Sequence, residues 1–325
     1  MTEGVPTDGD HLGGVVTFGE TMGLFRDPVP GMLALSRHVQ MGMGGAESNV
    51  AIALSRLGTP VTWLGRVGRD SLGDLIRREL AAEGVNTVVI VDDDAPTGLM
   101  IKERRMASAT RVWYYRAGSA GSRLEPADMP EELIRRAGLL HVTGITPALS
   151  ESAAQATRHA MHSAREAGVL VSFDLNYRSK LWGAEEARHT YLDLIGLADV
   201  VFAGESEAAI AVGVTGSVAE TARRLGDLGP KQVIIKLGEH GCFARVNEIS
   251  YEQAAVPVTV EDTVGAGDGF VAGYLSELHR GSPVAVRLIT AVSVGAFACT
   301  VAGDWEGMPF RSELGLLGAT EPVIR

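Results

Sequence analysis

Short apolar runs recur along the chain, and the segments between them have helical spacing. Val15 to Phe18, Val61 to Leu64, Val88 to Val91, Leu139 to Val142, Val169 to Phe173, Val200 to Phe202 and Val233 to Ile235 are the runs. Their length and β-branched content suit strands buried on both faces. Helical periodicity fills the stretch from Val50 to Leu57, which ends at Gly58, and then Ser71 to Glu83, Ser150 to Ala167, Ala184 to Gly196 and Ser217 to Gly229. This alternation predicts a doubly wound, mostly parallel α/β sheet flanked by helices, with ligands off the carboxyl ends of its strands. Two regions break the rhythm. Residues 32–43 are rich in Met and Gly and read as an irregular strand reaching a flap, while Leu99 to Glu103 and Val112 to Arg116 alternate like a small antiparallel layer with one wet face. Near the C-terminus, Ser282 to Ala302 is apolar on nearly all sides and predicts a fully buried helix.

Chemistry enters most plainly at Asp262-Thr263-Val264-Gly265-Ala266-Gly267-Asp268-Gly269-Phe270. Small residues at Gly265, Ala266 and Gly267 let backbone N–H groups converge on an anion, and the following helix adds the positive end of its dipole. Phe270, Val271, Tyr274, Leu275 and Leu278 form the buried stripe of that helix, and Gly281-Ser282-Pro283 closes it. Asp268 falls in its first turn. Acidic residues are common there in any helix, but beside a bound phosphate a carboxylate can also take the proton of an attacking hydroxyl, and the helix end is expected to keep it ionised.

Further candidates cluster at other predicted turns. Gly44-Gly45-Ala46-Glu47-Ser48-Asn49 opens a helix closely enough for a ligand to approach the backbone, with the two-sided amide of Asn49 beside it. Tyr114-Tyr115-Arg116 offers aromatic faces and a guanidinium whose planar fork suits a carboxylate. Phe173-Asp174-Leu175-Asn176-Tyr177-Arg178 leaves a strand with Asp174, Asn176 and Arg178 on alternate positions, so they share a face. The plainer alternative for each arginine, a solvated surface charge, is the less favoured one.

The Asp-Thr-x-Gly-Ala-Gly-Asp run, with small residues Gly269, Ala272 and Gly273 after it, resembles the C-terminal signature of the ribokinase-like (PfkB) carbohydrate kinases. Gly44 to Ala51, with Gly58 and the Gly65 to Gly73 segment, resembles the N-terminal signature of the same family. Within it, Gly19-Glu20-Thr21-Met22 and the Tyr114 and Phe173 segments look most like the 2-keto-3-deoxygluconate kinases, over about Val15 to Pro309. The resemblance implies ATP-dependent phosphorylation of an acidic keto-deoxy sugar with Asp268 as general base and Gly265, Ala266 and Gly267 as anion hole. It implies substrate contacts at Gly45, Ala46, Glu47, Ser48, Asn49, Met100, Tyr114, Arg116, Arg178 and Asp304. Nucleotide contacts would come from Asn176, Arg178, Lys236, Gly238, Gly241, Gly265 and Gly267. Mg²⁺ would accompany the nucleotide, with Glu207 acting through water, and a monovalent cation such as K⁺ would sit near the backbone of Asp262 and Val264. Two positions depart from the pattern: Met100 stands where a Tyr is usual, and Gly204 opens the Gly204-Glu205-Ser206-Glu207 segment where an Asn is usual.

Length and composition narrow the remainder. The 325 residues accommodate one kinase domain over 13–325, with lid strands from about 20–43 and 97–117 and a frayed polar start at 1–12. A formal charge of −11 argues against a nucleic-acid partner. No apolar run is long enough for a membrane span and no signal-peptide core opens the chain, so a cytoplasmic location is expected. The 2 cysteines, Cys242 and Cys299, suggest neither a disulfide framework nor a zinc cluster. Apolar lid residues such as Leu99, Met100 and Val112 suggest a homo-oligomer formed through the lid. Rival readings are a PfkB kinase for ribose, fructose or a nucleoside, a silent ATP-binding regulator on this fold, and a nicotinamide oxidoreductase. The last lacks a G-x-G-x-x-G turn after the first strand.

Overall fold

The computed structural model describes residues 13–106, 109–214 and 216–318. The polar start, residues 1–12, lies outside the described residues, and so do residues 319–325. In chain order the elements are β1 (Val15–Phe18), β2 (Met22–Arg26), β3 (Gln40–Gly44), α1 (Ala46–Arg56), β4 (Val61–Gly68), α2 (Ser71–Ala82), β5 (Asn86–Asp92), β6 (Leu99–Met106) and β7 (Ala109–Tyr115). They continue with α3 (Glu131–Arg135), β8 (Leu139–Thr143), α4 (Glu151–Glu166), β9 (Leu170–Asp174), α5 (Ala184–Ile195), β10 (Val200–Gly204), α6 (Glu205–Val212), α7 (Val218–Gly226) and β11 (Gln232–Lys236). The last are β12 (Cys242–Val246), β13 (Ile249–Gln253), α8 (Ala266–His279) and α9 (Val284–Ala298).

Among the described residues the strands form a nine-stranded sheet in the order β13-β12-β11-β10-β9-β8-β1-β4-β5 and a four-stranded sheet in the order β3-β2-β6-β7. The large sheet is parallel from β5 to β11 and ends in the antiparallel β12–β13 hairpin, which the sequence pattern did not predict. Its winding reverses between β1 and β8, and ligands bind at such a reversal, off the strand ends. In the lid, β3 and β7 pair antiparallel with β2 and β6, and the two inner strands run parallel.

Period-two alternation sends side chains of each strand to two cores. Val16 and Phe18 pack into one beneath α4 and α5, and Val15 packs into the other beneath α1 and α8. There Phe202 of β10 meets the edges of Phe270 and Tyr274 with ring centroids 6.4 and 5.4 Å apart. Burying such a ring contributes roughly 1.5–3 kcal/mol. The small residues after Asp268 now have a packing reason. A side chain at Gly273 would strike the main chain of Thr290 and Ala291 on α9, so only glycine lets α9 lie that close. That helix is a correction to the sequence reading. Val286 and Ile289 are 41% and 51% exposed, so α9 covers α8 with one face and meets solvent with the other. Apolar composition alone did not reveal that face.

The lid also differs in detail from expectation. Met22, Leu24, Met100 and Val112 form a small core of their own, so Met100 and Val112 are turned inward instead of outward to a partner. Met41, Met106, Trp113, Tyr114 and Tyr115 are exposed on the lid strands. Cys242 is buried and both cysteines are free thiols. No helix among the described residues is long and apolar enough to cross a membrane.

Candidate functional site

The start of α8 is built as its glycines require. Gly265 caps the helix in the left-handed region at φ 77°, and any side chain there would collide with the carbonyl of Asp304. The preceding turn is held by Asp262 Oδ1, which accepts the Val264 N–H at 3.1 Å. Asp268 lies in the first turn and is buried, and its Oδ2 accepts the Asn49 side-chain amide at 2.7 Å. Asn49 comes from the first turns of α1, so the two glycine-rich signatures meet in one hydrogen bond. Burial pushes the Asp268 carboxyl up to about 7, against the pull of Asn49, Arg178 and Lys236. The helix end was expected to keep this group ionised, and here desolvation outweighs it.

Beside this turn, Lys236 at the end of β11 donates to both oxygens of Asp174 at the end of β9, at 2.8 and 3.0 Å. Burial would lower the ammonium pKa, but Asp174, Glu207 and Asp268 together hold it above its ordinary value. Asn176 follows with φ 39°, a backbone conformation rare for a side-chain-bearing residue and frequent at functional sites. Glu207 uses both carboxylate oxygens to join two strand-end loops, accepting Gly204 N–H at 2.6 Å and Tyr177 N–H at 3.1 Å.

The lid supplies the opposite wall. Arg116 is clasped by Glu20, with Nε and Nη2 at 2.6 and 2.5 Å from one carboxylate oxygen, and Ser119 donates to the other. The Tyr114 ring lies against the Arg116 guanidinium at 5.7 Å and the Lys180 ammonium at 5.4 Å. Lys180 also donates to the Val112 carbonyl at 2.8 Å, tying the loop after β9 to the lid. Lys102 of β6 is ion-paired with Asp304, both nearly buried. Arg178 is exposed, with one bond to the Tyr177 carbonyl at 3.3 Å.

These walls enclose a single cavity of about 1300 Å³. The sequence-predicted residues that line it are Gly45, Ala46, Asn49, Met100, Tyr114, Arg116, Asn176, Arg178, Glu207, Lys236, Val264, Gly265, Gly267, Asp268 and Asp304. Six predicted residues do not. Glu47 is wholly buried and turned away, its Oε1 accepting Thr143 and Thr146 hydroxyls at 2.6 and 2.9 Å. Ser48 returns its hydroxyl to the Gly45 carbonyl at 3.0 Å. Helical phase explains both: Ala46 and Asn49 share the cavity face and the residues between them do not. The Ala266 N–H closes the capping turn onto the Thr263 carbonyl at 3.3 Å, which leaves Gly267 as the better amide for an anion. Gly238 and Gly241 shape the β11–β12 turn with φ 58° and 91° and do not line the cavity, and neither does Asp262. Sequence reasoning missed Lys102 and the clasping role of Glu20. Strand alternation places Lys102 on the same face as Met100, a signal that was available.

The chain matches the family model described as pfkB family carbohydrate kinase over residues 13–311. It is 39% identical over 308 residues to a 2-dehydro-3-deoxygluconokinase of Bacillus subtilis (strain 168), covering 92% of this chain and 93% of that one. It is 37% identical over 292 residues to a 2-dehydro-3-deoxygalactonokinase of Haloferax volcanii, covering 89% and 92%. The crystal structure of a 2-dehydro-3-deoxygluconokinase from Thermotoga maritima superposes with a TM-score of 0.86 at 27% identity, over 94% of this chain and 98% of that one. With both glycine-rich signatures joined at Asn49 and Asp268, the chain belongs to the pfkB family of carbohydrate kinases.

Proposed function

We propose that this kinase transfers the γ-phosphate of ATP to a hydroxyl of 2-keto-3-deoxygluconate or its close epimer, with Asp268 as general base. The observation that carries this reading is a buried carboxyl poised near 7, held by Asn49 beside the N–H groups of the α8 start. A base whose pKa is near the working pH takes a proton most effectively, and the amides of that turn would meet charge on the transferring group. Lys236, fixed by Asp174, stands on the same side to neutralise phosphate charge. Closure of the four-stranded lid would keep water from competing with the sugar hydroxyl.

Mg²⁺ arriving with the nucleotide would neutralise phosphate oxygens. Both Glu207 oxygens are already engaged by backbone amides, so this residue fits such an ion only through water. A K⁺-type site at the backbone of Asp262 and Val264 is a separate proposal, tested by activity in KCl against choline chloride. A lid-mediated homodimer is supported by exposed Met41, Trp113 and Tyr115.

Substrate choice turns on charge. Among the cavity-lining cations of the described residues, Lys102, Arg116 and Lys236 are each held by a carboxylate, and Arg178 and Lys180 are not. Arg178 is therefore the side chain most free to bind a sugar carboxylate, with the unclasped Nη1 edge of Arg116 assisting. The extent of this neutralisation also favours a second reading, a neutral ketose such as fructose. A coupled ADP-release assay over 2-keto-3-deoxygluconate, 2-keto-3-deoxygalactonate, fructose and ribose decides. The keto-deoxy acids are expected to give the highest kcat/KM, and a preference for fructose would overturn the assignment.

A further inference from the structure

Lys102 is nearly buried on β6 two residues beyond Met100, so both face the cavity. Its ammonium is paired with Asp304, on the loop after α9. That loop is wedged between the two ends of the site. On the lid side, a side chain at Gly44 of β3 would collide with the Asp304 carboxylate and with Met100. On the phosphate side, a side chain at Gly265 would collide with the Asp304 carbonyl. Glu306 holds the same loop from within, accepting the Asp304 and Trp305 N–H groups at 2.9 and 3.2 Å. Arg26 of β2 holds it from the lid through Glu306 at 3.1 Å and the Ala302 carbonyl at 2.7 Å.

A buried ion pair is poor value as a stabiliser, because desolvating two charges offsets most of their attraction. This one lines a ligand cavity, where fixed orientation matters more than stability. We propose that Lys102 is a positioning residue for phosphoryl transfer. It aims the Asp304 carboxylate at the acceptor's hydroxyls and, through the Asp304 main chain against Gly265, keeps the lid in register with the phosphate-binding turn. A carboxylate freed from this partner rotates, and the sugar loses both a hydrogen-bond acceptor and its alignment with the γ-phosphate.

The inference rests on the kinase reading but not on the sugar acid, because the test uses whichever acceptor the wild type phosphorylates best. K102M, K102R, D304N and the double variant K102M/D304N are compared by KM for acceptor, KM for ATP, and Tm. In K102M the acceptor KM is expected to rise roughly tenfold to a hundredfold with ATP KM within about twofold. K102R should recover most of the loss. In the double variant, adding K102M to D304N should change the acceptor KM by less than about threefold, since Lys102 acts through a group already disabled. An unchanged acceptor KM in K102M, a parallel rise in both KM values, or multiplicative effects in the double variant would overturn the proposal. If K102M does not fold, K102Q takes its place with the same expectations and the same overturning results.

Discussion

The two ends of the cavity are made differently. At the phosphate end, Asp268, Asn49, Lys236 and Asp174 all stand at the termini of helices or strands whose other faces lie in the main cores. At the sugar end, Arg116, Tyr114, Met100 and Lys102 ride on a four-stranded lid with a core of a few side chains, and their positions depend on ion pairs to Glu20 and Asp304. One end is carried by elements packed into the main cores, with the Lys236–Asp174 pair spanning two of their ends, and the other relies on side-chain charge over a small core. On the proposed function, chemistry and nucleotide binding would reside in the first half, while acceptor affinity and choice would reside in the half that can be retuned by single substitutions. Breaking the phosphate end should therefore lower kcat, and breaking the sugar end should raise the acceptor KM.

The largest effect is expected from Asp268→Asn. It removes the proposed proton acceptor while keeping size and the first-turn position, so kcat should fall roughly 10²- to 10⁴-fold with ATP affinity nearly intact. Near-normal turnover would show that the base lies elsewhere. The wild-type pH profile sharpens the same point. Only the ionised form accepts a proton, so kcat/KM should fall about tenfold per pH unit below a midpoint near 7. Stability runs the opposite way. The folded carboxyl binds its proton more tightly than the unfolded one, whose pKa is near 3.8, so this group's contribution is full below that value. It is lost as pH rises toward 7. D268N should accordingly gain Tm relative to wild type at pH 8 and lose that advantage at pH 4, read by thermal melts in matched buffers.

Next in size is Arg178→Met at the boundary between the halves. If this guanidinium takes the sugar carboxylate, kcat/KM for 2-keto-3-deoxygluconate should drop roughly 10- to 100-fold, the cost of leaving a charged group without its partner. Activity on fructose, where any is measurable, should change little. Equal losses on both sugars would assign Arg178 to the phosphates and move it into the phosphate half.

The phosphate half was also the half legible in the sequence. Apolar strand runs and the glycine turns around Asn49 and Asp268 are local patterns that backbone geometry demands, and each parallel strand of the large sheet matches an apolar run of the sequence to within a few residues, whereas β2 of the small sheet matches none. What failed was long-range. The direction of the Glu47 carboxylate, toward Thr143 and Thr146, depends on strand β8 nearly a hundred residues away. The Lys102–Asp304 pair joins residues two hundred positions apart, and although alternation puts Lys102 on the face of Met100, no local pattern signals its partner. The rise of Asp268 to about 7 likewise comes from burial by surrounding elements, which a helix-end argument does not see. The solvent face of α9 was hidden because apolar composition does not mark which side another helix covers.

The smallest effect should come from Glu20→Gln, and it isolates how the sugar half is tuned. Glu20 is buried at 2% exposure and holds Arg116 through one oxygen while Ser119 donates to the other. The amide keeps an oxygen for the guanidinium but loses the charge, so Arg116 gains freedom and net positive charge reaches the cavity. Two consequences oppose each other. Extra positive charge favours an acidic substrate, and lost orientation disfavours any substrate. Orientation should win for a neutral sugar, raising its KM about threefold to tenfold, while the KM for a sugar acid should move by less than about threefold because the effects partly cancel. Initial-rate measurements on both acceptors, with KM for ATP as control, give the ratio directly. If KM rose equally for both, Glu20 would be only a strut for Arg116, and charge balance at the lid would not set acceptor choice.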